Sequence, residues 1–125
     1  MNSKMKQLIT ALAISTAVIA TPFAANAAEK ADASALEVGK KLAFDRSKGN
    51  CLACHMVPGA NQPGNIGPAL IAMKMRYPDK QKLYNKIWGT EDANKVPHSM
   101  MPEFGRNGIL SDDEINKIVD YIYTL

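Results

Sequence analysis

The clearest hydrophobic pattern lies at the end of the chain. Ile115, Ile118, Val119 and Ile122 fall at i, i+3, i+4 and i+7, the stripe of an amphipathic helix. Ser111-Asp112-Asp113-Glu114 precedes it and reads as a capping box, with acidic side chains at the positive end of the helix. Ser34 and Glu37 form a second capping box, which predicts a helix from Ser34 to about Phe44 after a frayed, alanine-rich Ala28 to Ala33. Leu36, Gly39, Lys40 and Ala43 share one line of that helix. A glycine inside a helix costs about 1 kcal/mol relative to alanine. Gly39 is therefore either a tolerated surface position or a point of close approach, which Tyr121 or Tyr123 could cover. Leu83 and Ile87, flanked by Tyr84 and Trp88, mark a third helix, with Pro78 expected at its first position and Gly89 at its end. Ala69 to Met75 is expected to form a short helix.

Two stretches cannot be periodic. Val57 to Pro68 holds three prolines and three glycines in twelve residues, a density no helix or strand survives. Thr90 to Gly108 is the second. Helices at both ends, with loops and short helices between, predict an all-α domain.

The first 27 residues read as a targeting segment rather than part of that domain. Lys4 and Lys6 are followed by an apolar run from Leu8 to Ala20, a break at Thr21-Pro22, and an Ala25-Asn26-Ala27 cleavage site. The run is shorter than the roughly 20 apolar residues a spanning helix needs. Cleavage after Ala27 would deliver residues 28–125 to the periplasm, with no membrane insertion of the mature chain. Lys4 and Lys6 leave with the segment while all twelve acidic residues stay, so the formal charge falls from +3 to +1. That balance does not suggest a nucleic-acid partner. The 98 residues left form one small domain, and chains of this size bury only about 60–65% of their unfolded surface.

The chemistry is concentrated in Cys51-Leu52-Ala53-Cys54-His55, a CxxCH sequence. On one helical turn the two thiols face the same way and can reach the two vinyl groups at one edge of a haem, while His55 turns its imidazole to the iron. Other uses of two cysteines fit less well. A thioredoxin-like CxxC needs a strand before it and a long helix after it; here Lys48-Gly49-Asn50 precedes and Val57-Pro58-Gly59 follows. A structural zinc site needs four ligands, and only His98 is left to add. A disulfide would leave His55 unexplained. One covalently attached haem c is expected. The Val57 to Pro68 loop is placed to wrap it, supplying backbone without bulk, and the apoprotein is expected to fold poorly.

The iron then needs a sixth ligand. Met100 and Met101 sit in a polar loop bounded by proline and glycine, where core packing explains them poorly. Pro102 holds the preceding residue extended, which helps to aim Met101. Met101 ranks first, ahead of Met100 and His98, with Met56, Met73 and Met75 as further possibilities.

Taken together, the chain from helix through CxxCH, Gly-Pro loop and Met-Pro loop to terminal helix resembles a class I cytochrome c. Phe44-Asp45-Arg46, Lys48 to His55, Gly64-Asn65-Ile66-Gly67-Pro68, Arg76-Tyr77-Pro78-Asp79, Ile87-Trp88, Met101-Pro102, Phe104-Gly105-Arg106 and Tyr123-Thr124-Leu125 are more narrowly similar to the SoxX family of monohaem cytochromes. Where that family often has a second proline after Met-Pro, this chain has Glu103. The resemblance implies a fold with the N- and C-terminal helices packed together around a covalently bound haem. It implies thioethers at Cys51 and Cys54, His55 and Met101 as axial ligands, and the Pro68 carbonyl as acceptor for the histidine's free N–H. It also implies a SoxA-like cytochrome subunit as heterodimer partner, the carrier protein SoxYZ reached through the complex, and a downstream acceptor cytochrome. Such a complex couples thiosulfate oxidatively to a carrier-protein cysteine. Both cysteines of this chain are taken by haem, so electron transfer is expected here and substrate catalysis is not. A free-standing periplasmic carrier, or a five-coordinate haem sensor, are the alternatives.

Overall fold

The computed structural model describes residues 23–90 and 99–125, with side chains from residue 33 onward. Residues 1–22 of the expected targeting segment and the ligand candidate His98 lie outside them. The elements are α1 (Phe23–Phe44), a 3-10 turn at Cys51–Ala53, α2 (Met73–Arg76), α3 (Lys80–Trp88) and α4 (Asp112–Ile122). No strand occurs among the described residues, and none of their helices is long and apolar enough to cross a membrane.

The C-terminal helix forms as its pattern predicts. The Ser111 hydroxyl accepts from the Glu114 N–H at 3.3 Å, and the Glu114 carboxylate accepts from the Ser111 N–H at 2.9 Å. Ile115, Ile118, Val119 and Ile122 are each no more than 3% exposed. Burying side chains of this kind stabilises by about 1.5–3 kcal/mol each.

The N-terminal helix ends at Phe44 as expected but begins at Phe23, eleven residues before the predicted cap at Ser34. Seven of the thirteen residues from Phe23 to Ala35 are alanine, the strongest helix former, with no glycine or proline among them. The helix therefore runs through Ser34, and the expected frayed stretch from Ala28 to Ala33 is helical.

Helices α1 and α4 cross at Gly39, which is buried. A methyl group there would strike the Lys117 carbonyl oxygen and come within 2.7 Å of its carbon and 3.1 Å of the Tyr121 Cβ. Close approach, with Tyr121 as cover, is thus the reason for this glycine. Phe44 meets the Tyr121 ring edge-on, centroids 5.9 Å apart, and Lys48 pairs with Glu114 at 2.7 Å.

The middle helices start later than their patterns suggest. Asp79, not a residue before Pro78, caps α3: its carboxylate accepts from the Gln81 N–H at 2.9 Å, so Pro78 lies outside the helix rather than at its first position. A carboxylate is among the best N-caps, and here it decides the boundary. Gly89 ends α3 at φ 98°, in the left-handed region that suits glycine. Helix α2 begins at Met73, after Ala72 at φ 51°, and not at Ala69.

Candidate haem-binding site

The turn at Cys51 is built by its own backbone. Ala53 N–H donates to Asn50 O at 3.0 Å, and His55 N–H donates to Cys51 O at 2.9 Å. Asn50, at φ 46°, turns the chain into it. Gly49 lets the turn dock on the end of α1, since a methyl group there would come 2.9 Å from Leu42 O and 3.3 Å from the Cys51 sulfur. Cys51 and Cys54 are half-buried and not bonded to each other. Burial pushes the Cys51 thiol up to about 11.

The loop after the motif lies along the turn and is tied to it at three points. Gly64 N–H donates to Leu52 O at 2.7 Å, Gly67 N–H to Cys54 O at 2.7 Å, and Leu70 N–H to Met56 O at 2.8 Å. Two glycines permit this contact. At Gly64 a methyl group would strike the Ala53 carbonyl and lie 2.9 Å from the Cys54 Cα. At Gly67 it would lie 2.5–2.9 Å from three atoms of the His55 ring. The role of Gly67 was not foreseen from the sequence; its only signal was the Gly-Pro pair itself.

The same loop orients the imidazole. His55 Nδ1 lies 2.6 Å from the carbonyl oxygen of Pro68. A carbonyl can only accept, so Nδ1 carries a proton and donates, which leaves Nε2 as the nitrogen available to a metal. An imidazole held this way is oriented for metal ligation through Nε2.

Cys51, His55 and Pro68 line a cleft of about 650 Å³, part of it open to solvent, which Met101 also lines. Cys54 belongs to the same turn but does not line the cleft. Among the described residues, eight of the twelve buried hydrophobic side chains face this space, including Leu70, Met73, Leu83, Ile87, Phe104 and Ile118. The core is thus built around the cleft rather than beside it, as a flat apolar cofactor requires. Arg76 and Lys86 add positive charge to the lining.

Among the candidate sulfurs the structure separates inward from outward positions. Met100 is 78% exposed and Met75 82%, whereas Met101 is half-buried and packs against the core. Met56 is exposed as well. Met73 also lines the cleft, but its sulfur lies 3.5 Å from the Arg76 guanidinium. Tyr84 and Trp88 do not line the cleft; each donates to Asp112 Oδ1 at 2.9 Å. The described residues hold no group of three or more His, Cys, Asp or Glu that could hold a metal ion, so a protein-only metal site is not formed among them.

An all-helical core wrapped on a cleft, with CxxCH at its wall, defines a c-type haem protein that transfers electrons. Residues 36–125 match the family model for cytochrome c, and the chain belongs to that family. It carries haem c covalently, with Cys51 and Cys54 as the cysteines of the CxxCH motif. It is also 39% identical over 77 residues to an uncharacterized lipoprotein of Aquifex aeolicus (strain VF5). That match covers 61% of this chain and 36% of the relative, so the chain spans about a third of that protein's length.

Proposed function

We propose that this cytochrome c works in the periplasm as the SoxX subunit of a SoxAX complex, receiving electrons released when thiosulfate is coupled to a carrier-protein cysteine. In this reading His55 and Met101 would hold the haem iron. Haem held there would supply one-electron exchange at iron, and ligation by a histidine and a methionine would raise the potential of that exchange. His55 keeps Nε2 directed by donating an Nδ1–H hydrogen bond to Pro68 O. Leu70, Ile87 and Phe104 give the cleft an apolar lining. Both cysteines of the sequence are used in attachment, leaving no thiol here for covalent sulfur chemistry. The enzymatic step is accordingly assigned to the SoxA-like partner, with a downstream cytochrome as acceptor.

The observation that carries the electron-transfer reading is the inward turn of Met101 beside an outward Met100. The SoxX assignment is supported by the clustered sequence resemblance. Its test is purification of the tagged, full-length chain from its host grown on thiosulfate. A second haem subunit bearing a free cysteine should co-purify in equal amount, and the mature chain should begin at Ala28. Isolation as a lone monohaem monomer would make it a free-standing carrier instead.

A further inference from the structure

The chain between Met101 and α4 has no helix of its own, so its backbone groups must find partners elsewhere. It uses the end of α3, where the last carbonyls lack intrahelical donors. Phe104 N–H donates to Ile87 O at 3.2 Å, and both Gly105 and Arg106 N–H donate to Trp88 O at 3.0 Å. The indole of Trp88 lies against Gly105 so closely that a methyl group there would come within 2.5 Å of Cγ. The indole N–H, on the edge of the ring that meets Gly105, donates to Asp112 Oδ1 at 2.9 Å, and the Tyr84 hydroxyl donates to the same oxygen at 2.9 Å. One carboxylate at the start of α4 thereby fixes the ring of the residue whose backbone carbonyl holds Gly105 and Arg106.

Only two residues separate this anchor from Met101. Pro102 has a fixed φ, and Glu103 packs against Gly89. On the upstream side, among the described residues, the Met101 N–H reaches the Ser99 hydroxyl at a long 3.4 Å. Among the described residues, Met101 is thus held in the cleft chiefly from its C-terminal side.

We infer that Trp88 and Asp112 are positioning residues for the axial sulfur: a latch that keeps the Met101 segment closed although neither lines the cleft. This rests on the reading of Met101 as sixth ligand. Breaking the latch raises the population of a locally opened state, in which the sulfur leaves and an external ligand can enter, without unfolding the helices.

The test is titration of the ferric holoprotein with imidazole, which competes with the methionine, alongside urea unfolding. A hydrogen bond to a charged group is strong enough that losing it shifts such an equilibrium by about tenfold or more. Trp88→Phe, which keeps a flat ring over Gly105, and Asp112→Ala should each bind imidazole about tenfold more tightly. Asp112→Asn, which retains an acceptor oxygen, should bind more weakly than Asp112→Ala. Asp113→Ala, in the same turn but paired with Lys117, should match the wild type. If Asp112→Ala yields no holoprotein, Trp88→Phe carries the test by itself. Wild-type imidazole affinity in Trp88→Phe overturns the latch. Met101→Ala distinguishes the two ideas: if it leaves imidazole affinity unchanged, the ligand reading falls. If it tightens binding while Trp88→Phe does not, only the latch falls.

Discussion

His55 Nδ1 and the carbonyl oxygen of Pro68 lie 2.6 Å apart across thirteen residues of chain. Because the acceptor is backbone, the side chain at position 68 matters less than the path of the loop. That path depends on Gly67, whose missing Cβ makes room for the ring. Gly67→Ala should displace the imidazole, lowering the yield of holoprotein and altering the spectrum of what forms. Pro68→Ala should leave both close to wild type. Visible spectra of the two purified variants check the contrast.

Removing the cofactor should remove the fold. Eight of the twelve core side chains among the described residues face the cleft, so an apoprotein would have its apolar centre hollow or collapsed. A small domain has little stability to spare, since a few kcal/mol separate folded from unfolded. Cys51→Ser/Cys54→Ser protein made without haem should show no cooperative urea transition. A sharp transition like that of the holoprotein would contradict this.

Gly39→Ala sets two effects against each other. Alanine gains about 1 kcal/mol of helix propensity over glycine. The added methyl meets the Lys117 carbonyl, and overpacking a tight contact costs about 1–3 kcal/mol. Because the obstacle is backbone and cannot swing away, the clash should win. The urea midpoint of the holoprotein should fall, by up to about 2 kcal/mol in stability.

Acid should weaken the fold through Glu114. The Lys48 ammonium and the Ser111 N–H hold its carboxyl below the ordinary value of 4.5. The Ser47 hydroxyl and N–H likewise hold the Asp45 carboxyl below 3.8. A depressed folded-state pKa gives stabilisation that is present above the unfolded value and lost as pH falls through the folded one. Stability should therefore hold from neutrality to about pH 5 and decline below it. Glu114→Gln should make that decline shallower, as followed by urea midpoints against pH.

What could be read from the sequence was mostly local. Ser111 to Ile122 announced its own helix because cap, charge and stripe lie within twelve residues. The CxxCH turn and the loop methionines pointed to one cofactor, and Cys51, His55, Pro68 and Met101 do lie around one cleft. Boundaries were less legible. A good capping box at Ser34 lost to the alanines before it, and Asp79 displaced the expected start at Pro78. Gly67 under the imidazole and Asp112 joining Tyr84 to Trp88 were hidden because their partners are distant in the chain. Such contacts leave no periodic trace; only the three-dimensional path reveals them.

The most direct test of the account is the far-red absorption of the ferric holoprotein, where a methionine sulfur on iron gives its characteristic band. Wild type and Met100→Ala should show that band, and Met101→Ala should lose it. A band that persists in Met101→Ala would mean that another group binds the iron opposite His55, and the electron-transfer site described above would have the wrong sixth ligand.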